Sequence, residues 1–347
     1  MKALPIVMLL ALASVQSLAA ATLAEVTPKL VDAYATDADA NAYLESLRAA
    51  MQSGNDPREW ALATFPARDD IDDPGTTART HAELARAAKH APNDALVQWL
   101  AVNTVMLADP SDADIAAALS RLETLEPDNA AVWMQALLRA VNQHDEAAAS
   151  RALDRMAQSA RFDEHFADTL HAWLAVYDRH PPAHPLRPVP DGKAEVSWTF
   201  ASAMAITTAV AMPSYATLTN ACKETSGKPL DAERRAQCTT IGRLMLHRGL
   251  TLVSRAIGFA VLRNVGALSD ADLAENRNLD WYRANVLKGT GFEDGDVTAK
   301  NAFENDWRRM NDEIAVLQSA LARAGLPTQA PPDWSPQTTR TASHAKS

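Results

Sequence analysis

Along most of this chain, apolar residues return every three or four positions. That is the period of a helix with one buried face. Leu30, Tyr34, Tyr43, Leu44 and Leu47 mark one or two helices between residues 24 and 51. Pro57 opens a helix carrying Trp60, Leu62 and Phe65, and Pro66 stops it. Phe166, Leu170, Trp173, Leu174 and Tyr177 form one stripe on a helix over 163–178. No charged residue falls between Val196 and Cys222, so 194–221 reads as a buried core helix. Its Ser, Thr, Ala and Asn content and Pro213 argue against a membrane span. Residues 231–265 read as one long helix, with Ile241, Leu244, Met245, Leu252, Ile257, Phe259, Val261 and Leu262 facing a core. Gly249 and Gly258 mark a close crossing or a kink within it. Ser269 is an N-cap, with Asp270 and Asp272 in the first turn and Leu273, Leu279, Trp281, Tyr282 and Val286 beyond. A last long helix over 297–324 ends at Gly325, with Pro327 after it. Runs of alternating Val, Ile, Thr and aromatics are missing, and only 12 glycines are present. Both facts point to an all-α fold.

The middle of the chain repeats itself. Ala91-Pro92-Asn93-Asp94 and Glu126-Pro127-Asp128-Asn129 are similar junctions. Each precedes an apolar helix, a short polar turn and an Ala-rich helix. Trp99 and Trp133 lie 34 residues apart, as do Leu119 and Leu153, and Leu122 and Met156. Over about residues 80–159 this resembles the tetratricopeptide (TPR) repeat, a 34-residue helix–turn–helix unit. Trp133 matches the family's early aromatic, Ala149 its small helix-B residue and Leu153 its bulky packing position. Pro127 matches the closing proline of the first unit. Ala140 departs from the usual Tyr, Ile115 from a small residue, and no closing proline stands near Arg161. The resemblance implies a right-handed stack of helical hairpins up to about Asp178, with a concave face that binds proteins or peptides.

Residues 180–192 hold five prolines, which forbid a helix and favour an extended linker. The expected organisation is a TPR-like region over 21–179, that linker, and a C-terminal helical bundle over 193–326. The tail over 327–347, rich in Pro, Ser and Thr, reads as disordered. At the other end, Lys2, the apolar stretch from Leu4 to Val15 and the small residues Ala19, Ala20 and Ala21 form the pattern of a secretory signal peptide. Residues 1–20 are expected to be removed after Ala20 or Ala21, placing the protein in the periplasm or outside the cell.

Composition narrows the partners. Hydrophobic residues at 47% and charged residues at 22% belong to a chain that folds. A net charge of −10 repels phosphate backbones, which excludes nucleic acid as an expected partner. Two cysteines, Cys222 and Cys238, enclose a polar loop containing Gly227 and Pro229. In an oxidising compartment such a pair forms a disulfide.

Candidate chemistry is sparse. His165, Asp168 and His171 share one helix, spread too widely for all three to hold one metal. His180 and His184 flank a proline turn. Asp37, Asp39 and Asn41 mimic a calcium loop, but Ala42 and Arg48 stand at the positions that need Gly and Glu. The acidic run from Asp69 to Asp73 reads as a solvated loop. No nucleophile elbow, phosphate loop, dinucleotide fingerprint or zinc-protease motif occurs. No catalytic, cofactor-binding or metal residue is therefore assigned. The carboxylate pairs Glu304/Asp306 and Asp312/Glu313, with Arg308 and Arg309 beside them, read as a solvated, salt-bridged face. Arg255 and Arg263 sit among apolar neighbours and require acidic partners. The leading expectation is an exported interaction or scaffold protein with a protein or peptide partner. The alternative is an enzyme or small-ligand binder with a site in the C-terminal bundle, near Arg255, His247 or His165.

Overall fold

A computed structural model describes residues 37–65, 74–103, 113–182, 197–224, 229–292 and 295–336. The segment 1–20 expected to be a signal peptide, the acidic run at 69–73, most of the proline-rich stretch and the end of the tail lie outside the described residues. Within them every regular element is a helix; the only extended pairings are the isolated bridges Asn129–Arg161 and Phe162–Gly249. The helices are α1 (Asp37–Ser53), α2 (Pro57–Leu62), α3 (Pro74–His90), α4 (Ala95–Asn103), α5 (Ala113–Leu125), α6 (Ala130–Asn142), α7 (Glu146–Gln158) and α8 (Phe166–Arg179). They are followed by α9 (Trp198–Ala211), α10 (Ala216–Ala221), α11 (Ala232–Arg248), α12 (Leu252–Asn264), α13 (Asp270–Ala284), α14 (Val297–Arg309) and α15 (Glu313–Arg323).

Local chemistry sets many of their ends. Asp56, Asn129, Asp145, Ser197, Asp231, Asp296 and Asp312 each cap a helix by accepting a backbone N–H with the side chain. Ser269 forms a full capping box with Asp272. Gly325 adopts φ +69 just past α15, and Leu326 N–H closes back on Leu321 O at 2.9 Å. That is a left-handed stop, at the glycine the sequence marks.

Four expected helices differ. The 163–178 helix starts only at Phe166, because His165 sits at φ 54 in the left-handed region. The 194–221 helix breaks at Met212-Pro213-Ser214 into α9 and α10. The 231–265 helix is a hairpin: Gly249 ends α11, and Thr251 starts α12 with a capping box to Ser254. The two arms pack along each other, and Gly258 makes this possible. A Cβ there would lie 2.5 Å from Leu246 N and 2.7 Å from Gly242 O. The 297–324 helix breaks at Met310, where Asp312 caps a new start.

Packing follows the chain in pairs: α3 on α4, α4 on α5, α6 on α7, α8 on α9, α12 on α13 and α14 on α15. Longer-range contacts join these pairs, two of them central. Helix α11 lies on α7, and α9 lies against α4 as well as α8. Trp99 of α4 donates its indole N–H to Ala211 O at 3.3 Å, and Asn103 donates to Val210 O at 2.7 Å. The main apolar core accordingly runs from Leu47 and Trp99 through Trp173 and Phe200 to Trp307 and Val316. A smaller core gathers Leu246, Leu262, Leu279, Trp281, Ile314 and Leu317. Among the described residues, no helix is long and apolar enough to cross a membrane.

Cys222 at the end of α10 and Cys238 in α11 are disulfide-bonded, with Cα atoms 5.6 Å apart and both residues fully buried. The bond spans 16 positions of sequence. Losing that closure is expected to cost about 3 kcal/mol in the chain-entropy view. Urea unfolding of the wild type beside a Cys222→Ala/Cys238→Ala variant checks it; coincident curves would show the loop to be held without the bond.

Candidate functional site

Two successive interhelical loops, between α5 and α6 and between α7 and α8, fasten to one another. Ala130 N–H donates to Arg161 O at 2.9 Å, and Ala160 and Arg161 N–H both donate to Asp128 O. Asn129 completes the clasp with its side chain. Its amide donates to Glu126 Oε2 and to Asp163 O, each at 2.8 Å. Its Oδ1 accepts from Ala131 N–H at 3.2 Å and Asp163 N–H at 3.0 Å. Arg161 spans the same seam, reaching Glu126 at 3.0 Å and Asp163 at 3.1 Å. With Asn129 fully buried, each of these polar groups needs a partner, and the facing loop supplies it.

His165 lies at the centre. It is 2% exposed, and its ring rests against Trp99 with centroids 5.5 Å apart. Nδ1 faces Asp168 Oδ2 and Nε2 faces Glu126 Oε2, both at 3.0 Å. A ring with a carboxylate at each nitrogen donates from both, so it is an imidazolium. Burial by itself would lower its pKa; the bonds to Asp168 and Glu126 outweigh burial and raise it to about 10. Glu126 responds in kind. Burial pushes it up, but His165, Asn129 and Arg161 bring it down to about 2. Asp168 is lowered chiefly by its bond to His165.

Donor atoms of Asp163, His165 and Asp168 lie within 4.8 Å of one another, which is metal-like spacing. Their contacts, however, are those of an ion-pair network. Asp163 accepts from His165 N–H at 2.9 Å and from Arg161 at 3.1 Å, while His165 Nδ1 is engaged by Asp168. His171, which the sequence groups with them, turns away to Trp307 O at 2.7 Å.

A second polar centre is buried where four elements meet. Glu164, directly before His165, is fully buried and points to the opposite side. Its Oε1 accepts from Thr251 Oγ1 at 2.6 Å and from Tyr215 OH at 3.1 Å; its Oε2 has no hydrogen-bond partner. Glu313, at the start of α15, accepts from Leu252 N–H at 2.7 Å. Two carboxyls thus converge on Thr251-Leu252, the N-terminus of α12. Burial raises Glu164 to about 7 and Glu313 to about 7. Glu313 as a residue keeps some exposed surface, but its carboxyl is enclosed, and Glu164 pushes its pKa further up. The expectation of a solvated face therefore fails for Glu313. Arg308 and Arg309, thought to screen it, bind Asp178 at 2.7 Å and Asp306 at 3.0 Å instead.

The remaining candidates pair within the protein. Arg255 binds Glu275 at 2.8 Å and Gly249 O at 2.7 Å, whereas Arg263 is exposed. His247 meets Asp272 at 2.8 Å. Asp306 is clasped by Arg323, Arg309 and Ser319, whose donors outweigh burial and lower its pKa. Glu304 accepts from Ser197 N–H at 3.0 Å. Sequence reasoning missed Glu164 altogether. The available signal was the run Asp163-Glu164-His165, three ionisable residues immediately before an apolar helix.

No protein-family model, no curated protein and no solved structure matches this chain.

Proposed function

We propose that this chain is an exported helical-repeat protein whose region 21–179 binds a protein or peptide partner, serving as a scaffold. The observation that carries the reading is the recurring junction. Asn129 fastens to Asp163, 34 positions on, and each of these loops leads from one helical pair to the next. Equivalent positions 34 apart, Leu119 with Leu153 and Leu122 with Met156, are buried in both cases. Units stacked this way bury a shared core and leave extended faces for binding, which supports a TPR-like arrangement. The Cys222–Cys238 bond supports export to an oxidising compartment, as the N-terminal segment 1–20 does.

Among the described residues of this half, two large apolar side chains are exposed: Leu125 at 36% on α5 and Val141 at 43% on α6. The test is affinity purification of the mature protein from periplasmic extract after mild crosslinking. A stoichiometric protein is expected, lost with Leu125→Asp/Val141→Asp and kept with Leu273→Asp on α13. Recovery of the chain alone, or with a small molecule, would overturn the reading. The alternative, an enzyme or small-ligand site in the C-terminal bundle, has one observation in its favour. Glu164 and Glu313, with pKa values of about 7, lie in the range an acid–base pair needs. Their contacts are with the protein's own Thr251, Tyr215 and Leu252, the pattern of a structural joint.

A further inference from the structure

We propose that Glu164 and Glu313 form a proton-controlled joint: protonated, they hold the N-terminus of α12 against the α7–α8 loop, α10 and α15; deprotonated, they repel and release it. Geometry supplies the argument. Glu164 comes from the loop before α8, Tyr215 caps α10, Thr251 caps α12 and Glu313 opens α15. Those four chain reversals meet at two carboxyls. The corner is tied again by Glu313 N–H donating to Leu250 O at 2.9 Å, and by the bridge between Phe162 and Gly249.

A buried carboxylate is tolerated when a cation or several donors face it. Among the described residues, no ion pair reaches Glu164 or Glu313. Asp163 and Asp312 are carboxylates and add to the repulsion. Tyr215 is held neutral, its pKa raised well above the usual value by burial. Arg255 of α12 is committed to Glu275 and Gly249 O. Arg283 of α13 draws Glu313 down only as the last of its influences, and its own NH1 binds Asp280 at 2.9 Å. Glu164 Oε2, fully buried and unpartnered, is where a carboxyl proton would sit. On deprotonation that proton passes to water, and a second negative charge is left beside the first with no cation in contact with either among the described residues.

The sign follows from the raised pKa values. Each carboxyl contributes stability that is complete below its ordinary 4.5 and is lost as pH rises towards about 7. An exported protein meets such changes directly, because its surroundings are not buffered by the cell interior.

The experiment uses the full-length, disulfide-bonded protein. Between pH 5 and pH 8 its unfolding equilibrium constant in urea is expected to rise roughly 5,000-fold more than that of a Glu164→Gln/Glu313→Gln variant, about 70-fold from each carboxyl. Taking the difference removes the contribution of every other group, which the two proteins share. Hydrogen exchange, corrected for intrinsic rates, is expected to lose protection at Leu252 and Glu313 over the same range. Equal pH slopes in the two proteins, or unchanged protection, would overturn the joint. If the variant does not fold, carboxyl NMR of the wild type decides. Two midpoints near 7 support the proposal, and midpoints near the ordinary 4.5 end it.

Discussion

Replacing His165 with asparagine is expected to cost about 3 kcal/mol of folding stability, and with alanine about 1 kcal/mol more. The imidazolium is the only cation in contact with Asp168 and one of two in contact with Glu126 among the described residues. Removing one partner of a buried pair leaves the other charged and unpaired, typically 3–5 kcal/mol. The lower end applies because Glu126 keeps Arg161 and Asn129, and because Asp168 is about half exposed. Alanine costs more because φ at this position is 54, a conformation asparagine adopts readily and alanine does not. Urea unfolding near pH 6 is the measurement. The directions of the two pKa shifts set that pH. Glu126, at about 2 against an ordinary 4.5, contributes stability present above 4.5 and lost as pH falls towards 2. His165, at about 10 against 6.5, contributes stability complete below 6.5 and lost as pH rises towards 10. The network is therefore whole between these limits, and the variant's deficit should shrink on either side. A deficit of under 1 kcal/mol at pH 6 would mean that the ring is not charged.

Trp99→Ala is the second large effect, at about 3–5 kcal/mol. The side chain is fully buried in α4, where its indole donates to Ala211 O and its face lies on His165. Truncation opens a cavity between α4 and α9 and leaves a carbonyl without its donor. Trp99→Phe keeps a ring and loses mainly the hydrogen bond, about 1 kcal/mol. The position matters because α4 precedes the proline-rich stretch and α9 follows it. If Trp99→Ala cost less than about 1 kcal/mol, the core would not be continuous across that boundary.

Much of the fold is legible in the residues, for local reasons. Ser269, Gly325 and the cysteine pair act through short-range chemistry, and each is found where its type predicts. The misses come from the limits of periodicity. Across Gly249-Leu250-Thr251 the apolar period continues through a reversal, because both arms of the α11–α12 hairpin present apolar faces to each other. Thr251 and Asp312 were available as caps, but an apolar stripe on both sides hid them. His165 was read as helical because a left-handed turn just before a helix leaves no mark in the pattern.

The two polar centres were less legible than the helices, since burial of a charge is a tertiary property. Glu126 stands in a loop sequence that looks solvent-facing; only the neighbouring loop, 34 residues on, closes over it. Glu313 was seen beside two arginines and assigned to them by proximity in sequence. Those arginines reach Asp178 and Asp306, and the carboxyl turns inward to α12.

The most direct test of the proposed partner binding places a photoreactive residue at position 141, on α6 of the N-terminal half, and separately at position 273, on α13. Illumination of cells producing each protein is expected to trap one discrete protein adduct from position 141 and none from position 273. An adduct from position 273 alone, or from neither, would contradict the proposed partner-binding face on the N-terminal half.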